Sequence, residues 1–202
     1  MLDAPRSGGL RELKKARTRA SLREHALRLF RERGYQATTV EQIAAAAEVS
    51  PSTFFRYFPT KEDVVLQDDM DTRLIAALEQ QPPGLGPVAA VRAATRQVFS
   101  SYTAADVDAV RETARLTMTV PEIRARALDE FARAINGIAE AIGKRSGRPA
   151  DDLAVRTVAG AVVGVIMAIT LPWEGWAEGR DFEDSFGRID EALALLQAGL
   201  PL

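Results

Sequence analysis

Apolar residues recur at intervals of three and four along most of this chain, and nowhere do they alternate with polar ones over the length of a strand. That period places side chains on one face of a helix, so the expected fold class is all-α. Leu22, Ala26, Leu29 and Phe30 mark the inner face of a first helix closing at Gly34, and Val40, Ile43, Ala44 and Ala47 mark a second. Two registers offer a capping box for the second helix: Thr38 with Glu41, or Thr39 with Gln42. Ser50 can accept from orphan amides of a third helix whose first position is Pro51, where no donor is needed. Phe54 and Phe58, four apart, then face inward, leaving Ser52, Thr53, Arg56 and Tyr57 to point outward.

Beyond this pair, Thr60 is expected to cap one continuous helix carrying Leu66, Met70, Leu74 and Leu78, stopped by QQPPGLGP at 80–87. Helices follow over about 88–102 and 104–119. Pro121 opens a longer one with Leu128, Phe131, Ile135, Ile138 and Ile142 on one face, broken by SGRP at 146–149. Asp151 is expected to cap an apolar helix over 157–172, PWEGWAEGRD at 172–181 reads as a loop, and Phe182, Phe186, Ile189, Leu193 and Leu196 make the stripe of a last helix. The 157–172 stretch is short of the roughly 20 residues that span a bilayer. It follows Asp151, Asp152 and Arg156, so it reads as a buried helix with no membrane partner.

Two short helices across a tight turn, the second with a polar, aromatic and basic outer face, have the layout of a helix-turn-helix DNA reader. Charge points to the same segment. Residues 1–62 hold 12 Lys and Arg against 7 Asp and Glu, a net of +5, while 63–202 carry −7 of the chain's total of −2. A positive head attracts phosphate and an acidic body discourages it. Arg11, Lys14, Lys15, Arg17 and Arg19 form a basic lead-in suited to the DNA backbone or minor groove, behind residues 1–12 that are expected to be flexible. The first residues lack the uninterrupted apolar stretch of a secretory signal, so a cytoplasmic location is expected.

An enzyme is the contrasting class, and the chemistry argues against it. There is no cysteine, which removes disulfides, thiol nucleophiles and thiolate-bound metals. His25 is the lone histidine and has no patterned Ser, Asp or metal-ligating partner. The carboxylate pairs Asp68–Asp69 and Asp151–Asp152 sit where helix starts explain them. No glycine-rich phosphate cradle occurs, and no cofactor or metal is expected.

The run TTVEQIAAAAEVSPSTFFRYFPTKEDVV resembles the DNA-binding signature of TetR-family transcriptional regulators. The likeness extends back through LREHALRLFRERGYQAT and covers roughly residues 12–66. It implies a homodimeric, one-component repressor or activator with a three-helix DNA-binding domain at 1–62 and a larger helical effector-binding and dimerisation domain at 63–202. Carried over by position, Thr39 and Lys61 would contact phosphates of the operator, and Ser52, Thr53, Arg56 and Tyr57 would meet bases or adjacent phosphates, with Ser50 at the cap counted beside them. Phe55 stands where the family commonly has a tyrosine whose hydroxyl meets phosphate. It is left to pack on sugar or a thymine methyl, or to join Phe54 and Phe58 inside. Glu48 stands where the family often has a turn glycine, so either the turn is strained or its geometry differs.

The resemblance also implies a small-molecule effector, expected to be hydrophobic or amphipathic. The side chains singled out for it are Phe99, Tyr102, Arg111, Arg115, Met118, Met167, Trp173 and Trp176, although aromatic and Met positions of this kind are more often ordinary core. Gly160 and Gly164 form a GxxxG that lets another helix approach closely. With Phe186, Ile189 and Leu193 of the last helix they are the expected dimer interface, the alternative being that both helices only close the subunit's own core. A DNA-binding regulator without an effector, controlled by abundance or a protein partner, is the other functional class.

Overall fold

The computed structural model describes residues 7–67, 70–170 and 184–201, and every regular element among them is helical. The chain divides into two compact units, Met1–Gln67 and Asp68–Leu202. The first contains α1 (Ser7–Arg33), α2 (Val40–Ala46), α3 (Pro51–Tyr57) and α4 (Asp63–Leu66). The second contains α5 (Met70–Gln80), α6 (Pro87–Phe99), α7 (Ala104–Thr119), α8 (Pro121–Ser146), α9 (Leu153–Thr170) and α10 (Asp184–Gln197).

The N-terminal unit closes around Leu22, Ala26 and Phe30 of α1, Ile43 and Ala44 of α2, Phe54 of α3, Phe58, and Val64 and Val65 of α4, all essentially inaccessible to water. Three seven-residue-or-shorter helices cannot hold themselves in water, so this shared apolar interior is what keeps them folded. Helix α1 begins at Ser7, inside the stretch expected to be flexible, and the Thr18 hydroxyl donates back to the Lys14 carbonyl at 3.0 Å.

The single helix expected after Thr60 is two. Thr60 and Asp63 cap each other reciprocally, the Asp63 amide donating to Thr60 Oγ1 (3.2 Å) and the Thr60 amide to Asp63 Oδ2 (3.0 Å). The helix so started ends at Gln67, where ψ is +84°, and α5 begins at Met70. Val64 and Val65 are buried on α1, so α4 belongs to the N-terminal unit.

In the C-terminal unit α5, α6, α8, α9 and α10 share one core that includes Leu78, Val91, Ala94, Ile142, Val162, Ile189 and Leu193. Helix α7 packs on α8. Gly137 lets α5 approach α8 closely: a Cβ there would lie 2.9 Å from the Ile75 Cδ1 atom. Helix α8 ends at Gly147, in the left-handed region at φ +66° as a helix C-cap often requires. Arg145 closes the end of α5 by donating to the carbonyls of Leu78, Gln81 and Pro82 at 3.2, 2.8 and 2.8 Å.

Three details of the sequence reading are corrected here. Leu128 is 67% exposed, and Ile123 and Ala127 carry the buried stripe through that part of α8. Asp152 rather than Asp151 caps α9, its Oδ1 accepting from the amides of Ala154 (2.9 Å) and Val155 (3.2 Å). Helix α9 is buried on one side only, through Val155, Ala159, Val162 and Val163, while Leu153, Thr157 and Gly164 face water. Among the described residues no helix is long and apolar enough to cross a membrane.

Candidate nucleic-acid interface

Of the two capping registers offered for α2, the second forms: Thr39 Oγ1 accepts from the Gln42 amide (3.3 Å) and Gln42 Oε1 accepts from the Thr39 amide (3.1 Å). Thr38 is buried instead, its hydroxyl donating to the Gly34 carbonyl at 2.9 Å. Helix α2 ends in a Schellman turn, with the Glu48 amide on the Ala45 carbonyl (3.1 Å) and the Val49 amide on the Ala44 carbonyl (2.9 Å). Glu48 occupies its left-handed position at φ +56°. The turn therefore keeps the glycine-type geometry and strains a non-glycine residue to do so.

Ser50 then caps α3, accepting from the Thr53 amide at 3.2 Å, with its hydroxyl 2.9 Å from that of Ser52 and 3.0 Å from that of Thr53. Phe54 and Phe58 are wholly buried with ring centroids 5.7 Å apart. The opposite face carries Ser52, Phe55 and Arg56 exposed, with Thr53 and Tyr57 half-buried at its margins. Phe55 is 50% exposed, its ring set edge-on to Phe54 at 5.5 Å and 85°, so it is outside the core. The Arg56 guanidinium lies 5.4 Å from the Tyr57 ring centroid.

Lys61 is half-buried and works on the protein itself. Its Nζ donates to the carbonyls of Tyr35 (3.0 Å) and Thr38 (3.1 Å) and sits 3.9 Å from the Tyr35 ring centroid. The Tyr35 hydroxyl donates to Glu62. Burial pushes the Glu62 carboxyl up, but that bond, its own backbone amide, Thr60 and the Lys61 charge outweigh it and hold the group below its ordinary value. These contacts fasten the chain before α2 to the chain before α4 and leave a cationic group one residue from Thr39.

On α1, Arg11, Lys14, Lys15 and Arg17 are exposed. Arg19, placed with them in the sequence reading, turns inward. Its guanidinium donates to the Tyr57 carbonyl (3.1 Å) and to the carbonyl and Oε1 of Gln67 (3.2 and 3.1 Å), and stacks 4.5 Å above the Phe58 ring. A signal for this was present: Arg19 continues the 22, 26, 29 stripe one step backwards.

In the C-terminal unit the structure brings together Phe99 and Tyr102 with Phe186. Their centroids are 5.5 Å (Phe99–Tyr102), 4.2 Å (Phe99–Phe186) and 5.6 Å (Tyr102–Phe186) apart, and Met167 packs against the same core. Arg111, Arg115 and Met118 lie apart on α7. Arg111 pairs with Asp108 at 3.3 Å, and Arg115 makes a two-pronged contact with buried Glu112 at 2.9 and 2.7 Å. Trp173 and Trp176 lie outside the described residues. A surface hollow of about 290 Å³ between α8 and α9 is lined by Asn136, Glu140, Ala150, Asp151 and Arg156, and includes none of the candidate effector side chains.

The dimer residues need a correction. Ile189 and Leu193 are 1% and 0% exposed inside the subunit's own core, and Phe186 is taken up by Phe99 and Tyr102. Among the described side chains, α10 exposes Gly187, Glu191, Leu195 and Gln197. Gly160 and Gly164 do lie on the outer side of α9, where an added Cβ would meet nothing within 4 Å.

A capped helix-turn-helix with a polar and aromatic outer face, on an all-helical chain with a second helical unit, defines a DNA-binding transcriptional regulator. Residues 22–67 match the family described as bacterial regulatory proteins, tetR family, and residues 85–201 match the MftR C-terminal domain. The chain belongs to the TetR family. It is 38% identical over 155 residues to the HTH-type transcriptional regulator TcmR of Streptomyces glaucescens, covering 73% of this chain and 69% of that one. It is 27% identical over 151 residues to the transcriptional regulator MftR of Mycobacterium tuberculosis, covering 73% of this chain and 75% of that one. Among solved structures, the TetR-family repressor FadR of Thermus thermophilus in complex with lauroyl-CoA aligns over 91% of this chain and 95% of that one, at 29% identity and a TM-score of 0.54.

Proposed function

We propose that the chain is a ligand-responsive repressor that binds a pseudo-palindromic operator as a homodimer and is released by a hydrophobic or amphipathic small molecule. The observation that carries the DNA half is the outer face of α3: Ser52, Phe55 and Arg56 exposed on a helix whose start is fixed by Ser50 and Pro51 and whose inner side is anchored by Phe54 and Phe58. Thr39, Ser50 and Lys61 serve the phosphates; Ser52, Thr53, Phe55, Arg56 and Tyr57 face bases and sugars. Two such readers about 34–36 Å apart fit successive major grooves. The outer side of α9, with Gly160 and Gly164, supplies the approach of a second copy, joined by Gly187 and Leu195 of α10.

For the effector, the partly buried group of Phe99, Tyr102 and Met167 supplies apolar contact, with Trp173 and Trp176 retained from the sequence reading. The lauroyl-CoA found with the Thermus thermophilus repressor makes a long acyl thioester the first compound to test. Such a ligand acts only by binding one arrangement of the two readers better than the other.

The deciding experiment is fluorescence anisotropy on DNA upstream of the protein's own gene against a scrambled duplex, at two salt concentrations, with and without lauroyl-CoA and metabolite extract. Sequence-preferring binding that an added compound releases supports the reading. Preference unaffected by any addition favours regulation without an effector, and no preference on any duplex counts against α3 as the reader.

A further inference from the structure

We propose that Arg19 is a positioning residue for operator reading: it holds the C-terminal end of α3 in register and ties that end to Gln67. The inference rests on α3 being the reader. Helix α3 is seven residues long, and its last carbonyls have no partner within the helix. The Phe58 amide takes Phe54 O, and Arg19 takes Tyr57 O at 3.1 Å. A guanidinium here meets a helix C-terminus with its full charge, the favourable sign for the helix dipole. Its other prong grips Gln67 twice, through the backbone carbonyl and through Oε1, at the end of α4. Between the prongs the plane lies over Phe58, the residue that closes α3.

Arg56 and Tyr57, the candidate base-facing side chains at that end, therefore take their position from a residue 37 or more positions earlier that does not itself face the operator. Lysine cannot reproduce this, because a point charge has no planar fork to span two helix ends and stack on a ring at once. The same group links the reader to Gln67, where the N-terminal unit ends, so a displacement of the chain at Gln67 bears on Arg56 and Tyr57 through one side chain.

The test uses the full-length protein, an operator duplex selected from a randomised pool and a scrambled duplex of equal length. Arg19→Met keeps much of the apolar stem and removes the fork; Gln67→Ala removes only the side-chain anchor. Arg19→Met is expected to lower operator affinity on the order of tenfold, the usual effect of losing a charge-assisted hydrogen bond. Affinity for the scrambled duplex and the slope of log affinity against log salt stay unchanged. Gln67→Ala gives a smaller loss in the same direction, and adding it to Arg19→Met costs little more. A slope reduced by about 0.9 would show that Arg19 binds a phosphate and overturn the proposal. An unchanged ratio of operator to scrambled affinity would reduce Arg19 to a purely structural role. Should Arg19→Met fail to fold by circular dichroism, Gln67→Ala decides on the same ratio. A wild-type protein that selects no operator refutes the α3 reading instead.

Discussion

Glu48 pays a conformational penalty that a glycine would not. Its φ of +56° costs a non-glycine residue about 1–2 kcal/mol, whereas glycine adds about 0.5–1 kcal/mol of unfolded-chain entropy. The first outweighs the second, so Glu48→Gly is expected to stabilise the N-terminal unit by about 0.5–1 kcal/mol, measured as a shift of the urea midpoint at unchanged slope. A destabilised Glu48→Gly would mean that the Glu48 side chain contributes more than its backbone costs. Phe55 invites a different single-atom test. Held edge-on to Phe54 and half exposed, it has no hydroxyl for a phosphate and presents an apolar rim on the outer face of α3. Replacing thymines of the operator one at a time by deoxyuridine removes only a methyl. Burying one such group is worth about 0.8 kcal/mol, so one position per half-site is expected to lose roughly fourfold in affinity, and Phe55→Ala to abolish that loss. Uniform indifference to deoxyuridine would place Phe55 on the sugars.

At the scale of elements, an ionic cluster at the margin of the apolar core also joins α6 to α10. Asp190 accepts from both prongs of Arg92 (2.9 and 2.9 Å) and of Arg96 (2.5 and 2.7 Å). Hydrogen bonds from Arg92 and Arg96 hold its carboxyl far below the ordinary carboxylate value, against a smaller opposing effect of burial. A group whose folded value is depressed contributes stability that is fully present above its unfolded value, near 3.9, and is lost as pH falls towards the folded value. Asp190→Asn is therefore expected to lower stability at pH 7 by about 1–3 kcal/mol, with the gap from wild type narrowing below about pH 4. A gap that does not change with pH would assign the loss to packing. Helix identity was legible in the sequence wherever apolar spacing and caps agreed, as at Thr39, Ser50 and Pro51. It was least legible where local preference was outvoted by packing: the break at Gln67 follows from α4 burying Val64 and Val65 on α1, and Leu128 fits the stripe of α8 yet faces water. The outer face of α3 was readable from Phe54 and Phe58 alone. The inward turn of Arg19 was legible only as a position on the stripe of α1; its partners were not, because two of them are main-chain carbonyls at positions 57 and 67, which any residue type supplies.

At the scale of the molecule, apolar periodicity says that a helix has a buried face and is silent on which chain buries it. Ile189 and Leu193 illustrate this: their stripe suits a subunit interface and a subunit core equally, and the fold spends them on the core. Substitutions on the two sides of this bundle should consequently fail in different ways. Leu193→Ala opens a cavity in a fully buried site and is expected to cost about 2–5 kcal/mol of folding stability. Gly164→Glu places a side chain where the subunit itself offers no obstruction within 4 Å, so the fold should persist, with helical circular dichroism retained. Across an interface of two α9 helices the same glutamate and its copy would be buried against each other, an unpaired like charge that close packing cannot accommodate. Sedimentation velocity is expected to show a monomer for Gly164→Glu where wild type gives a dimer, and operator binding to fall towards that of a single half-site because nothing then fixes the distance between readers. A Gly164→Glu dimer as stable as wild type would move the interface off this face of α9. Intact operator affinity in a monomer would instead show that one reader suffices.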